Sequence, residues 1–294
     1  MEELIRSKTD WLDVLHKAAQ AGKRAILQNY DVDSRNTVVR RGVGGDLTLK
    51  IDEASERAVL NSLNRSVGKN EFVFVSEELG EVGPTSGKPR PVVICDPLDG
   101  SHNAQIGIPF FAVSLCVLGV PNGLGQSEPR TFGRVDAAMI ASVKTQDEYS
   151  AAKQSGAFLN GKRISASSRP PSRINTLLVE TGDIDYMKKY LTSELTKKIV
   201  YKTRILGSAA LSFCMLADGS ADALIFAQPG GARTIDSPAG YLIAKEAGCS
   251  FFDLSGKRKE TDDVVVGFDS RLNLAGTPSR RSLNILKRLV RTPD

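Results

Sequence analysis

Five acidic residues stand where they could hold a cation together. They are Asp52, Glu77, Asp96, Asp99 and Asp236. Glu77 and Asp96 each come shortly after a short β-type run, and acids at the ends of strands belong to a site more often than to a core. Carboxylate, carbonyl and water oxygens are the ligands that Mg²⁺ prefers, and two ions about 3.5–4 Å apart need a bridging carboxylate with others around it. The set therefore predicts a magnesium site built without imidazole.

The segment Asp-Pro-Leu-Asp-Gly-Ser at residues 96–101 concentrates these donors. Pro97 restricts the backbone between the two acids, so that both carboxylates and the Leu98 carbonyl could point at one place. Gly100 lets the backbone approach a ligand, and a helix that begins near Ser101 would offer free N–H groups to a phosphate. The same composition is also that of a surface turn.

The other acids have structural explanations as well. Glu77, which precedes Glu78, could mark the solvated exit of a strand. Asp236 precedes Ser-Pro-Ala-Gly and could be the N-cap of a helix that has Pro238 in its first turn. A cap at the rim of a site can serve both purposes.

Composition excludes several other classes of protein. The 294 residues suffice for about two packed units. Only two histidines, His16 and His102, are present, which excludes most chemistries built on imidazole clusters and argues against a Ser-His-Asp triad. The four cysteines stand far apart without a C-x-x-C pair, so they are predicted to be reduced, mostly buried thiols rather than a zinc site or a disulfide framework.

Charge and hydropathy give weaker indications. The net charge of +5 would suit an anionic ligand, but the basic residues are scattered and argue only weakly for nucleic acid. No export signal and no apolar run long enough to span a bilayer stand in the sequence. These features predict a cytoplasmic protein with neither a nucleic-acid nor a membrane partner.

Periodicity predicts the elements that must position the acids. A helix is expected over residues 9–30 and a second over residues 54–63, with a loop or hairpin that brings Asp46, Thr48 and Asp52 to its start. An antiparallel meander is expected from residue 112 to residue 164. The linker-like segment at residues 165–173 divides the chain into an N-terminal α/β layer, residues 1–168, and a C-terminal α/β layer, residues 169–294.

Alternating α/β elements are predicted in the C-terminal layer. Helices are expected over residues 184–198, 208–217 and 236–247, with a strand at residues 223–226.

Three blocks of this sequence resemble the signatures of the inositol monophosphatase-like, lithium-sensitive phosphatase family. They are VSEELG, DPLDGSHNA and IDSPAGYLIAKEAG, and lesser blocks such as GAFLNGKRI and GSAALSFCMLADGSADA also match. The resemblance runs from the first helix to about Phe268, and the three blocks occur in the family's order. It implies a layered α/β sugar-phosphatase fold, an α-β-α-β-α sandwich, and a homodimer.

The resemblance also implies a metal-ligand set of two or three Mg²⁺ ions, with Mn²⁺ as a substitute. Glu77, Asp96 and the Leu98 carbonyl would hold the first ion. Asp96, Asp99 and Asp236 would hold the second, and a third, weaker ion would use Glu77.

Catalytic roles follow from the same resemblance. Asp52 and Ser101 match the pair that orients and deprotonates a metal-activated water, and the N–H groups of Gly100 and Ser101 match those that hold the phosphate. Metal ions would lower the pKa of the water and neutralise charge on the phosphate oxygens.

Departures from the family pattern concern the substrate. Inositol-specific members carry a Glu ahead of the third block, whereas residues 227–233 carry no acid here. Arg233, with Lys202 and Arg204, instead resembles archaeal-type members that act on inositol phosphates and fructose 1,6-bisphosphate. A second phosphate favours a guanidinium, although exposed surface charge is the other explanation for these residues. The predicted substrate contacts are Asp99, Gly100, Ser101, Arg204, Gly207, Ser208 and Arg233.

The predicted function is therefore a Mg²⁺-dependent phosphomonoesterase that hydrolyses inositol 1-phosphate, fructose 1,6-bisphosphate or both. One alternative is a phosphatase that removes the 3′-phosphate of adenosine 3′,5′-bisphosphate, although such members typically follow D-G-[ST] with Lys-Gly-Phe where this chain has His102, Asn103 and Ala104. Another is a catalytically reduced regulatory or nucleic-acid-binding relative, against which the presence of all five acids argues.

Overall fold

The computed structural model describes residues 2–43, 45, 47–84, 87–166, 173–185, 188, 194–254, 261–278 and 283–287. No helix among them combines the length and apolarity needed to cross a bilayer.

The N-terminal elements build an eight-stranded sheet with helices on one side. Its strand order is β10-β9-β8-β7-β6-β5-β3-β4, and β3 and β5 run parallel while the other described neighbours run antiparallel. β1 and β2 form a separate hairpin. The elements are α1 (Glu2–Gln28), α2 (Val32–Asn36), β1 (Val38–Arg41), β2 (Leu47–Leu49), α3 (Lys50–Val67), β3 (Val73–Ser76), β4 (Gly80–Val82), β5 (Val92–Asp99), α4 (Ser101–Ile106), β6 (Ala112–Leu118), β7 (Val135–Ser142), β8 (Glu148–Ala152), β9 (Gly156–Leu159) and β10 (Lys162–Ile164).

The C-terminal elements build a five-stranded sheet of order β12-β11-β13-β17-β15. Its strands β12, β11 and β13 are parallel, and β17 and β15 are antiparallel additions. A short ribbon pairs β14 with β16. The elements are β11 (Ile174–Glu180), α5 (Glu194–Ile199), β12 (Val200–Arg204), α6 (Ala209–Ala217), β13 (Ala223–Phe226), β14 (Ala232–Arg233), α7 (Pro238–Glu246), β15 (Ser250–Asp253), β16 (Arg271–Leu272) and β17 (Leu274–Thr277).

Alternation along the strands explains the layering. Phe74 packs in a core with α1 and α3, whereas its neighbours Val73 and Val75 pack in a core with α6 and α7, because successive strand side chains face opposite sides of a sheet. In the second sheet, Leu178 faces α6 and α7 while Leu177 faces an outer core with the helical residues 283–287. The order helix, sheet, helix, sheet, helix confirms the predicted α-β-α-β-α sandwich.

Several predicted elements are confirmed and others are corrected. The antiparallel meander from residue 112 to residue 164 is present, and the four cysteines are buried free thiols. The first helix begins at Glu2 rather than near residue 9. The sequence did not predict β12, which lies between the helices expected over residues 184–198 and 208–217.

Two predictions fall partly outside the described residues. The helix expected over residues 184–198 is described in part, with α5 at its end. The division between residues 168 and 169 lies within 167–172, which the structure does not describe. It stays a prediction, and the core around α6 and α7 contains residues from both sides of it.

The close approach of α7 to α6 explains why the third block has a glycine at position 240. A Cβ at Gly240 would lie 2.7 Å from Phe213 Cβ and 2.9 Å from Phe213 Cγ, so α7 and α6 approach closely there. We expect Gly240→Ala to lower the free energy of unfolding by about 1–3 kcal/mol through overpacking, measured by urea denaturation. Gly182→Ala is the matched control, because its Cβ would meet nothing within 4 Å. Equal losses in the two variants would contradict this account.

Candidate active site

Strand pairing brings the acids of two motifs together. β3 and β5 run parallel with Ser76 opposite Cys95, so that Glu77 and Asp96 leave the paired segments side by side at the same end. Glu77 lies in the loop after β3. Asp96 lies within β5, and Asp236 lies in a 3₁₀ turn at Thr234–Asp236.

The Asp-Pro-Leu-Asp segment is not a turn after a strand, as the sequence suggested, but part of β5 itself. The register between β5 and β6 breaks between Asp96 and Asp99. Pro97 has no N–H to give to a ladder, and in a central strand proline is confined to such irregularities. The break allows the segment to present Asp96, the Leu98 carbonyl and Asp99 within four residues, and α4 then begins at Ser101 as predicted.

Four of the acids share one electrostatic environment. Burial raises the pKa of Asp96 well above its usual range, and the negative charges of Asp99, Glu77 and Asp236 raise it further. Burial also raises the pKa of Asp99 to about 7, against hydrogen bonds that lower it, and Asp236 again contributes. Carboxylates that disfavour each other's charge in this way are arranged to receive a cation.

The donor set fits hard divalent cations, since it consists of carboxylate and carbonyl oxygens. Within the described residues, however, no three acids, histidines or cysteines converge on one point as in a formed metal centre. Protein groups bind several of the oxygens instead. Asp96 Oδ1 accepts the Leu98 N–H at 3.0 Å, Asp99 accepts donors from the start of α6, and Glu77 and Asp236 pair with an arginine.

Asp99 is bound by the N-terminus of α6. The Ser208 hydroxyl donates to Asp99 Oδ2, and the N–H groups of Ala209 and Ala210 donate to Oδ1 and Oδ2 at 3.2 and 3.1 Å. The positive end of the helix dipole favours a carboxylate at this position. The structure thus brings the candidate substrate contact Ser208 directly to Asp99.

Asn103, in the block that contains Asp96 and Asp99, fixes the loop that carries Ser208. Its Nδ2 donates to the Phe110 carbonyl at 2.8 Å and to the Leu206 carbonyl at 2.6 Å. Gly207 follows with φ +75, and a Cβ there would lie 3.1 Å from Asn103 Nδ2. The contact between α4 and the loop before α6 therefore requires Asn103 as the donor and a glycine at position 207, where a Cβ would crowd the asparagine.

Arg233 was predicted to contact substrate, but it pairs with two candidate metal ligands. Its Nη2 forms an ion pair with Glu77 Oε1, and its Nε lies 3.5 Å from Asp236 Oδ2. Asp236 does not cap α7, because Ser237 is the N-cap and Pro238 the first helical residue. The alternative explanation of Asp236 as a cap is therefore wrong.

The remaining predicted polar residues around the acids are more exposed. Arg204 lies exposed on β12, where it donates to the Thr203 carbonyl at 2.9 Å rather than to an acid of the cluster. His102 is exposed on α4.

Asp52 is buried in the first turn of α3. Its Oδ2 accepts the Leu49 N–H at 2.7 Å, whereas its Oδ1 has no hydrogen-bond partner among the described residues. Burial raises the pKa of Asp52 to about 8, opposed by the Leu49 hydrogen bond and reinforced by Glu78 and Glu56. The Ser101 hydroxyl donates to the Leu98 carbonyl at 2.9 Å, so Asp52 and Ser101 are not hydrogen-bonded to each other.

Two residues that the sequence analysis missed hold these groups in place. Ser55, one turn after Asp52 on α3, donates to the Pro97 carbonyl at 2.7 Å and ties this helix to β5. Glu180 is buried at the end of β11, where it accepts the Gly207 N–H at 3.1 Å and the Ser212 hydroxyl at 2.6 Å. An acid at the end of an apolar run, the signal used for Glu77, would have found it.

Comparison with known proteins shows which family the chain belongs to. The model of the inositol monophosphatase family matches residues 7–277. The chain belongs to this family. It is a phosphatase of the family, a phosphoric monoester hydrolase, and the family is generally metal-dependent.

Relatives that are similar to this chain in sequence differ in the activities that their names carry. The chain is 29% identical over 280 residues to a fructose-1,6-bisphosphatase/inositol-1-monophosphatase of Methanocaldococcus jannaschii, covering 95% of this chain and 99% of the relative. It is 32% identical over 282 residues to a fructose-1,6-bisphosphatase of Pyrococcus furiosus, covering 95% and 98%. It is also 28% identical over 265 residues to the Nus factor SuhB of Escherichia coli, covering 87% and 90%.

Solved structures similar to this chain include proteins with the same two kinds of name. The chain is similar to a crystal structure of the suppressor protein SuhB of Bartonella henselae, with a TM-score of 0.76 and 25% identity, covering 96% of this chain and 99% of the other. It is similar to that of an inositol monophosphatase-fructose 1,6-bisphosphatase with a TM-score of 0.75 and 27% identity, covering 95% and 99%.

The raised pKa of Asp52 predicts a pH dependence of stability. The folded protein holds a proton on Asp52 that the unfolded chain loses above about pH 4, so this contribution is complete below that pH and is lost as the pH approaches the folded pKa of about 8. We expect the free energy of unfolding in EDTA to fall from about pH 5 to about pH 8, measured in urea, and to fall less steeply in Asp52→Asn. Asp263→Asn, at an exposed position, should keep the wild-type slope. An unchanged slope in Asp52→Asn would contradict the assignment.

Glu180 is predicted to position the Gly207 loop for catalysis. Glu180→Ala removes the acceptor for the Gly207 N–H, and we expect it to lower kcat for phosphate release about 10-fold, as supporting contacts of a metal site typically do. Glu180→Gln keeps one carbonyl acceptor and should restore part of the loss, while Ser212→Ala leaves the Gly207 contact and should cost less. The role is refuted if Gln and Ala at position 180 lose activity equally while both variants keep the wild-type unfolding temperature.

Proposed function

We propose that this chain is a Mg²⁺-dependent phosphomonoesterase that hydrolyses a small sugar or polyol phosphate. The observation that carries the proposal is that Glu77, Asp99 and Asp236 lie close enough to the buried Asp96 for the negative charge of each to raise the pKa of that carboxyl. Divalent cations remove such repulsion between carboxylates. Phosphoryl transfer to water depends on the positive charge that the bound cations bring to the phosphate oxygens.

Residues for two ions are available in this arrangement. Glu77, Asp96 and the Leu98 carbonyl would hold one ion, and Asp96, Asp99 and Asp236 the other. Bound ions would supply Lewis-acid chemistry, acidifying a water molecule and neutralising charge on the phosphate oxygens. Mg²⁺ is the proposed metal because all the donors are hard oxygens, with Mn²⁺ as a substitute.

Asp52 and Ser101 would handle the proton of the attacking water. Asp52 Oδ1 is buried and has no hydrogen-bond partner in the described part of the chain, so this oxygen has an acceptor position left over. The proposed donor is the Ser101 hydroxyl, which donates to the Leu98 carbonyl in this structure and would have to leave it. Burial raises the pKa of Asp52 to about 8, so the ionised form, which has high proton affinity and can act as the base, becomes more populated as the pH rises toward that value. The N–H groups of Gly100 and Ser101 would hold the phosphate.

Inositol 1-phosphate and fructose 1,6-bisphosphate are the proposed substrates. The Methanocaldococcus jannaschii relative carries both activities in its name, and the Pyrococcus furiosus relative carries fructose-1,6-bisphosphatase. Asp99 and Ser208, held together at the start of α6, would meet substrate hydroxyls, with Gly207 beside them. Arg204 is exposed on β12 and is proposed to meet a second phosphate. The homodimer implied by the resemblance stays a prediction.

A substrate panel tests the proposal. We expect EDTA-treated protein to release no phosphate, and Mg²⁺ to restore release from inositol 1-phosphate, fructose 1,6-bisphosphate or both, with adenosine 3′,5′-bisphosphate a poorer substrate. Asp96→Asn should lose more than about 100-fold in kcat, since removing a ligand costs more than removing its support. Asp263→Asn, an exposed aspartate away from the site, is the control.

Three outcomes would count against the proposal. Full Mg²⁺-dependent activity in Asp96→Asn would remove the mechanism. Faster turnover of adenosine 3′,5′-bisphosphate would replace the substrate class. No phosphate release from any of the three would favour the regulatory role that the similarity to the Nus factor SuhB suggests.

A further inference from the structure

We propose that Arg233 is an internal cation that competes with a divalent metal ion for Glu77 and Asp236. Metal binding at this pair would displace the guanidinium, and the ion pairs of Arg233 would set the metal affinity. The inference rests on the metal dependence in the proposed function.

The contacts define the competition. Nη2 of Arg233 pairs with Glu77 Oε1, and Nε lies 3.5 Å from Asp236 Oδ2, so one guanidinium spans two carboxylates. Mg²⁺ binds carboxylate oxygens at about 2.0–2.1 Å. Because the guanidinium lies against Glu77 Oε1, an ion bound to that oxygen would be in contact with a second cation, and the side chain of Arg233 would have to move away.

Burial makes these ion pairs matter. The side chains of Arg233, Glu77 and Asp236 are 21%, 15% and 19% exposed. Ion pairs in such enclosed places are screened less than those on the surface, where the contribution is often near zero. Without the guanidinium, Glu77 and Asp236 would repel each other and Asp96.

The backbone beneath Arg233 is fixed, so the displacement concerns its side chain. β14 pairs with β16, with Arg233 opposite Arg271. Asn273 Oδ1 accepts the N–H groups of Gln228 and Ala232 at 2.8 and 3.1 Å, which closes the turn before β14. Glu77 directly follows strand β3 of the large sheet, so the guanidinium also joins the two layers across the site.

Competition predicts the direction in which metal affinity and stability change when Arg233 is replaced, whereas a simple substrate contact predicts no change in either. Removing the guanidinium should raise metal affinity, because the metal no longer displaces a bound cation. It should also lower the stability of the protein in EDTA, because two carboxylates lose their counter-ion. A residue that touches only substrate would change neither quantity.

Metal binding without substrate tests the proposal. We expect EDTA-treated Arg233→Gln to bind Mn²⁺ at least about 5-fold more tightly than wild type, which is the lower end of typical coupling between linked sites. Electron paramagnetic resonance of the free Mn²⁺ measures the affinity. The same variant should unfold at a lower temperature in EDTA and gain more on addition of Mg²⁺. Arg233→Lys keeps the charge but loses the planar fork, so its gain in affinity should be smaller.

Arg271→Gln is the matched control. Arg271 is exposed on the same ribbon, and its Nη1 donates to the backbone carbonyls of Phe268 and Ser270 rather than to an acid. Its Mn²⁺ affinity should equal that of wild type. Equal gains in Arg271→Gln and Arg233→Gln would mean that general surface charge is responsible and would overturn the proposal.

Failure of this inference is separable from failure of the proposed function. If wild type binds Mn²⁺ and releases phosphate but Arg233→Gln binds Mn²⁺ no more tightly, the competition is wrong and the function stands. If wild type neither binds Mn²⁺ nor releases phosphate, both are wrong. Should Arg233→Gln fail to fold, an unchanged affinity in Arg233→Lys would overturn the competition.

Discussion

Repulsion between like-charged carboxylates is the constraint on which the rest of this structure depends. Asp96 lies near three other acids, and burial removes much of the water that would screen their charges. The fold answers with positive potential from two directions: the N-terminus of α6 at Asp99 and the guanidinium of Arg233 at Glu77 and Asp236. Since the same negative potential attracts a divalent cation, groups that stabilise the folded chain and groups that favour metal binding are in competition.

A single change in strand direction concentrates these charges. In a sheet whose other described pairs are antiparallel, the parallel pairing of β3 with β5 places Glu77, directly after β3, beside Asp96, which lies within β5. The break in register at Pro97 then turns the strand's last residues toward the site, and Ser55 holds α3 against that break. The C-terminal layer approaches the same point through α6 and the 3₁₀ turn of Asp236. Packing of α6 and α7 between the sheets therefore decides whether the acids meet.

Local signals explain how much of this could be predicted from the sequence. Alternating apolar runs, helical periodicity and the Asn-Gly turn at residues 160–161 predict the meander, several of the helices and the strand at residues 223–226, and the blocks of acids identify the family. The chain gives less warning where a residue's role depends on a distant partner. Asp236 before Ser-Pro has the composition of an N-cap, and only the packed structure shows that Ser237 takes that position. Glu180 carried the same strand-end signal as Glu77, but its partner Gly207 could not be read from the chain.

Arginine shows why composition alone misjudges a site. The net charge of +5 suggests a surface that attracts anions, yet part of the positive charge is neutralised inside the molecule. On β1, Arg40 Nη2 lies 3.4 Å from Oε2 of the buried Glu56, and Arg233 joins Glu77 to Asp236. An arginine beside a phosphate site can contact the substrate, or it can compensate the charge of buried acids. It can also leave the acids for the substrate when a metal ion binds the carboxylates instead. The partners decide among these roles, and they come from elements that the chain brings together only by folding, so no count of basic residues could have distinguished them.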